Sequence, residues 1–191
     1  MTSRQASELD FAFERNGWTA EDVKKVSGGK LLALFLLVVR ERAEVVVKSI
    51  LTLLRTVRVS AQPTITASEE YFNEAGVVLA NDTFQTEFYG LEVLATEEAE
   101  LAVRKLEEES FDAPILAELR DKAEISASQF RAFLAANRES REWFIFYLSG
   151  RNGLWAVDAR WLVDDGGWGV IADSVAGPLG WYQGVHVVSQ V

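Results

Sequence analysis

Apolar positions along this chain follow three rhythms in turn. In the first, up to about residue 55, they sit at helical spacing or in unbroken runs. Leu9 and Phe13 lie four apart in a short helix over 7–15, which Asn16-Gly17 stops. Thr19 before Ala20-Glu21-Asp22 reads as a helix start: its hydroxyl can accept from the free backbone donors of the first turn, where acids also suit the dipole. Trp18 is placed to pack on Val23 or Val26, and Ser27-Gly28-Gly29 ends the helix. Leu31–Val39, LLALFLLVV, is apolar on nearly every side, which predicts a buried helix. From Glu44 to Arg55 β-branching at Val45-Val46-Val47 favours a strand, and Ile50-Leu51-Leu53-Leu54 favours a helix. One long helix to Arg55 is the simplest reading, with the strand left open.

The second rhythm is mixed. Val57 and Val59 alternate with Arg58 and Ser60, so 56–66 reads as an edge strand ended by Pro63. Ser68-Glu69-Glu70 opens a turn or short helix. Residues 76–80 read as a strand and Asn81-Asp82 as a turn, while Phe84, Phe88 and Tyr89 show no clear period. Thr96 is placed to cap a helix through Glu109, with Leu101, Val103 and Leu106 on its apolar side and Glu100 four before Arg104. Asp112-Ala113-Pro114 begins another helix, because proline suits the first turn. Ser126 or Ser128 caps a last one over 129–137, with Phe130, Phe133 and Leu134 inward.

The third rhythm is that of strands. Trp143 to Leu148 is continuously apolar, as in a strand buried on both faces. Arg151-Asn152-Gly153 marks a hairpin. Beyond it Trp155, Val157, Ala159, Trp161 and Val163 face one way, and Leu154, Ala156, Asp158, Arg160 and Leu162 the other. Asp164-Asp165-Gly166-Gly167 turns the chain, Trp168, Val170 and Ala172 alternate again, and Trp181 to Val188 is a last strand. The pattern predicts an α+β protein. A mainly helical body over 1–140, with short strands near 56–66 and 76–80, packs on a Trp-rich four-stranded antiparallel meander over 141–191, as one compact unit.

Composition changes this picture in two places. Residues 143–191 hold five of six tryptophans and eight of thirteen glycines, and no lysine or glutamate. The net charge of -10 argues against nucleic acid and anionic membrane as partners. The absence of cysteine removes thiolate chemistry and disulfides. The start of the chain has no basic-then-apolar leader pattern, and nine apolar residues are too few to cross a hydrocarbon layer, which takes roughly 20. A cytoplasmic location is expected.

Gly17-Trp18-Thr19-Ala20-Glu21-Asp22, Glu142-Trp143-Phe144, Trp161, Gly167-Trp168 and Gly180-Trp181-Tyr182-Gln183-Gly184 together form a pattern of aromatic and glycine positions. In it the chain resembles a group of short α+β proteins recurrent in candidate-phylum, ultrasmall-celled bacteria. The likeness covers both ends and is thin in the middle. It implies a shared fold, and no activity or site residue comes with it.

Chemistry is sparse. One histidine, His186, rules out a multi-histidine metal site within one chain. The acids at Asp164-Asp165 and Glu107-Glu108-Glu109 lack calcium-loop spacing. Ser27-Gly28-Gly29-Lys30 is not a phosphate loop, since Leu31 follows the lysine and a helix precedes it. No nucleophile motif is present, and no cofactor or metal is implied. If strand parity aligns them, Asp158, Arg160, Asp173, Tyr182 and His186 form a polar cluster on one sheet face, the face expected to carry function. The leading expectation is a non-catalytic module that binds another protein. One alternative is a hydrolase using His186 with Asp158 or Asp173 as acid and base. The other is a carbohydrate-binding sheet, which needs two of Trp155, Trp161, Trp168 and Trp181 exposed and coplanar.

Overall fold

The computed structural model describes residues 10–13, 15, 19–28, 31–40, 48–138, 140–177 and 180–191. The chain divides into two compact units, 1–48 and 49–191. Strands from both sides of residue 140 share one sheet.

In the first unit, residues 10–13 and 15 are helical, and helices α1 (Ala20–Ser27) and α2 (Leu31–Val39) follow. Thr19 caps α1 as expected. Its Oγ1 accepts from Asp22 N at 3.2 Å, and Asp22 Oδ2 accepts from Thr19 N at 2.9 Å, so two free donors are satisfied reciprocally. The helix stop at Asn16-Gly17 and the packing of Trp18 lie outside the described residues, as do Glu44–Val47. The prediction of burial for α2 is corrected: Leu32, Leu34, Phe35, Leu36, Leu37 and Val39 are all exposed.

The second unit is built on a seven-stranded sheet in the order β1-β5-β11-β7-β8-β9-β3. Within the open segment, Leu51 to Arg55 belong to strand β1 (Leu51–Val59), so no long helix reaches Arg55. β2 (Ile65–Thr66) pairs with β4 (Glu92–Val93) in a separate ladder. Helix α3 (Glu69–Asn73), capped by Ser68, leads to β3 (Val77–Ala80), which runs parallel to β9. Asn81 is not a turn residue but the cap of α4 (Asp82–Phe88), with its Oδ1 2.9 Å from Phe84 N. That sets Phe84 and Phe88 one turn apart, both buried.

The helix expected over 97–109 is strand β5 (Ala99–Leu106). Its residues are good helix formers, but it lies between β1 and β11, pairing antiparallel with both. There Leu101 and Val103 enter one core cluster and Leu106 the other. A helix could not bury both sets and fill both ladders, so tertiary pairing overrides propensity. β6 (Ser110–Phe111), α5 (Asp112–Leu119), a 3-10 turn (Arg120–Lys122) and α6 (Ala127–Ala136) come next. α6 starts at Ser126, which with Gln129 forms a capping box.

β7 (Trp143–Gly150), β8 (Gly153–Leu162) and β9 (Gly167–Ser174) form an antiparallel meander of three strands, not four. After β9 the chain passes through β10 (Gly180–Trp181), which pairs with β6, and returns as β11 (His186–Gln190) on the far side of β7. β11 runs parallel to β7 and antiparallel to β5. It is this return that joins the first half of the sheet to the meander.

β7 is buried on both faces, as its continuous apolar run predicts. Phe144, Phe146 and Leu148 meet the aromatic residues of α3, α4 and α6 on the first face. Phe130–Phe146 and Phe133–Phe144 are edge-to-face at 4.9 and 5.1 Å, the arrangement ring quadrupoles favour. Ile145 and Tyr147 meet Ile115 and Leu119 of α5 on the second face. The Asn152-Gly153 hairpin is pinned to α4 by Glu87, whose carboxylate accepts from Asn152 Nδ2 at 2.6 Å, Asn152 N at 2.9 Å and Trp155 Nε1 at 3.2 Å.

Candidate functional site

The second sheet face carries the chemistry. Strand register sets Ile145 opposite Asp158, Trp143 opposite Arg160, and Ala156 opposite Asp173. Asp158, Arg160 and Asp173 therefore share one face, as expected from sequence. α5 and the short β6–β10 ladder bring Asp112, Trp181 and Tyr182 to the same side.

Asp112, in the first turn of α5, is almost fully buried. Its Oδ1 accepts from Trp181 Nε1 at 2.7 Å and from Tyr147 Oη at 2.8 Å. Burial pushes its carboxyl pKa up, the two donors pull it down, and Asp173 nearby pushes it up again. These bonds answer a need visible in β7: a tyrosine hydroxyl inside an apolar strand must find an acceptor.

Asp158 is 5% exposed. Its Oδ2 lies 3.8 Å from the Arg160 guanidinium and its Oδ1 is buried with no hydrogen bond. Burial pushes its pKa up to about 6; Arg160 opposes this and Asp173 adds to it. The Trp143 indole interacts with this carboxyl, yet Trp143 Nε1 completes no hydrogen bond of normal geometry. A buried donor and a buried acceptor are thus both left unsatisfied in this cluster, which is costly unless a further group joins them.

Around them stands an aromatic wall. The Arg160 guanidinium sits 4.2 Å over the Trp143 ring, a cation–π contact. Trp143 meets Trp181 edge-on at 6.2 Å and 79°, and Tyr182 at 6.3 Å and 51°. Trp181 and Tyr182 also line a cleft of about 440 Å³ with Glu109, Ser110, Phe111 and Gly180. Tyr182 is exposed and Arg160 is half exposed.

His186 does not join this cluster. It pairs with Phe144 in register, so it belongs to the first face, and its ring lies 5.8 Å from that of Phe144. Its Nε2 is 3.6 Å from Glu142 Oε1, and Glu142 is held by both terminal nitrogens of Arg55 and by Ser140 Oγ. Burial lowers the His186 pKa, with Glu142 opposing. The pairing of His186 with Asp158 or Asp173 is corrected: the sheet stands between them. The reason is the crossover through β10: β11 returns beside β7 in parallel, in a register that sets His186 on the side of Phe144.

The tryptophans do not form the platform that the carbohydrate alternative needs. Trp168 and Trp181 are buried and Trp155 and Trp161 are half-buried, with Trp161 perpendicular to Trp168 at 87°. No flat, exposed tryptophan pair arises from Trp155, Trp161, Trp168 and Trp181. Sequence reading missed Asp112, Trp143 and Tyr147 as parts of the site, because each has a sufficient local role as helix start or core residue.

Among the described residues, no three Asp, Glu or His side chains converge to hold a metal ion, and no helix is long and apolar enough to cross a membrane. No protein-family model, curated protein or solved structure matches the chain, so the functional reading rests on geometry.

Proposed function

We propose that the protein is a non-catalytic binding module that takes a basic segment of a partner protein at the acidic, aromatic cluster on the second sheet face. The observation that carries this is Arg160 on Trp143. The protein's own guanidinium occupies the indole face, while its ion pair with Asp158 is long and single. Asp112, Asp158, Asp173 and Glu109 flank this region with Arg160 as the local counter-charge. A lysine or arginine from outside meets here what recognises cations: an aromatic wall and excess carboxylate. It displaces Arg160 toward solvent, where that side chain is already half exposed.

The test is calorimetric titration with an arginine- and lysine-rich peptide and with an acidic peptide of equal length. Binding of the basic peptide alone is expected, weakening with salt, tightening in Arg160→Gln and weakening in Trp143→Leu. Equal binding of the two peptides, or none, overturns the reading. The hydrolase alternative has lost its His–Asp pair and the carbohydrate alternative its coplanar tryptophans.

A further inference from the structure

Helix α2 poses a separate question. Leu32, Leu34, Phe35, Leu36 and Val39 are exposed by 44 to 68%, and α1 buries none of its residues. A helix that is apolar all round is normally covered, and an exposed apolar patch of this kind marks an interaction surface. A protein groove covers one stripe of a helix and leaves its far side in water. Hydrocarbon covers every side.

Charge selects the surface. Lys24 and Lys25 in the last turn of α1, and Arg40 just after α2, are exposed. The sequence adds Lys30 and Arg42; Glu41 and Glu21, whose carboxylate pairs with Lys25 at 3.2 Å in an exposed ion pair, oppose them. The chain's net charge is unevenly spread: residues 1–48 carry eight Lys and Arg against seven Asp and Glu, and residues 49–191 carry eleven against twenty-two. The net charge of -10, which argues against an anionic surface for the whole chain, therefore lies in the second unit. Two copies of the basic-flanked helix would repel each other.

Length sets the orientation. Nine residues of helix span about 14 Å, roughly half of a ~30 Å hydrocarbon layer. With basic residues at both ends, the helix lies along one leaflet rather than end-on in it, and its flanks reach the headgroups through their lysine and arginine stems. We propose that α2 docks the protein on an anionic lipid surface, with Lys24, Lys25 and Arg40 contacting headgroup phosphates.

The experiment is flotation of the full chain with vesicles of phosphatidylcholine mixed with phosphatidylserine, and with phosphatidylcholine alone. The chain is expected to float with the mixed vesicles and to partition less onto the neutral ones. Leu34→Glu with Phe35→Glu abolishes flotation. Lys24→Gln and Lys25→Gln each weaken partitioning roughly fivefold. The substituted side chains are exposed, so the urea midpoint of the second unit serves as a folding control and is expected to stay unchanged. Three results overturn the proposal: no flotation with mixed vesicles, flotation indifferent to the Leu34/Phe35 change, or a self-associated chain that ignores vesicles and becomes monomeric with that change. The last assigns α2 to a second copy of this chain.

Discussion

The indole N–H of Trp181 and the carboxylate of Asp112, 69 residues apart, meet at 2.7 Å on the second face of the sheet. Tyr147 donates to the same oxygen from the central strand β7. One carboxylate therefore ties the start of α5, the β10 crossover and the middle of the sheet together. Replacing Asp112 by Ala leaves two buried donors unpaired and is expected to cost about 3 kcal/mol of stability. Asn keeps one acceptor oxygen and costs about 1 kcal/mol. Urea unfolding of the two variants distinguishes this shared-acceptor role from a generic helix-start effect, in which Asn and Ala would differ little.

Asp158 makes stability depend on pH in a defined direction. Its folded-state pKa of about 6 lies above the ordinary 3.8, so the native chain binds this proton more tightly than the unfolded one. The stabilisation is full below about pH 3.8 and is lost as pH rises to about 6. With allowance for partial solvent access, about 2 kcal/mol is at stake. Asp158→Asn mimics the protonated form. The wild type is expected to lose that much more stability than the variant between pH 4 and 7; parallel pH profiles would contradict the assignment.

Arg160 restrains that titration. It is the larger of the two influences, with Trp143, that pull the Asp158 pKa down against burial and Asp173. In Arg160→Gln the Asp158 carboxyl, followed by NMR, should titrate at higher pH than in the wild type. An unmoved midpoint would place Arg160 too far away to act on Asp158 in solution.

The edge pairing of β3 on β9 depends on the absence of a side chain at Gly167. A Cβ there would lie 2.3 Å from Val78 Cγ1 and 2.7 Å from Gly76 O. Gly167→Ala is expected to cost about 2 kcal/mol by forcing the strands apart, with thermal unfolding as the readout. Gly153, whose position has no neighbour within 4 Å but has φ of +125°, offers a contrast: its penalty is backbone strain without a clash.

Tyr147 shows how far the sequence reaches into the site. An apolar run on both sides of it predicts a central strand, and once buried there its hydroxyl requires an acceptor. Neither identifies Asp112, which in sequence is only a good first-turn residue before Pro114. Parity placed Asp158, Arg160 and Asp173 together because adjacent antiparallel strands preserve it through a tight hairpin. Parity failed for His186 because a crossover intervenes, and no alternation rule carries a face assignment across a long connection.

The sequence by itself determined whatever depends on near neighbours: the cap at Thr19, a serine cap at Ser126 or Ser128, the Asn152-Gly153 hairpin, the doubly buried β7, and the all-round apolar character of Leu31–Val39. These rest on local hydrogen bonding and on side-chain period. Only the tertiary structure decided that Ala99–Leu106 is a strand, that β11 returns beside β7, and that Leu32, Leu34, Phe35, Leu36, Leu37 and Val39 are exposed. Those outcomes depend on which distant segment offers a ladder or an apolar surface, and that free energy is absent from any local window. The acidic, aromatic cluster belongs to the second kind, since Asp112, Trp143, Asp158 and Trp181 come together only once the sheet has closed.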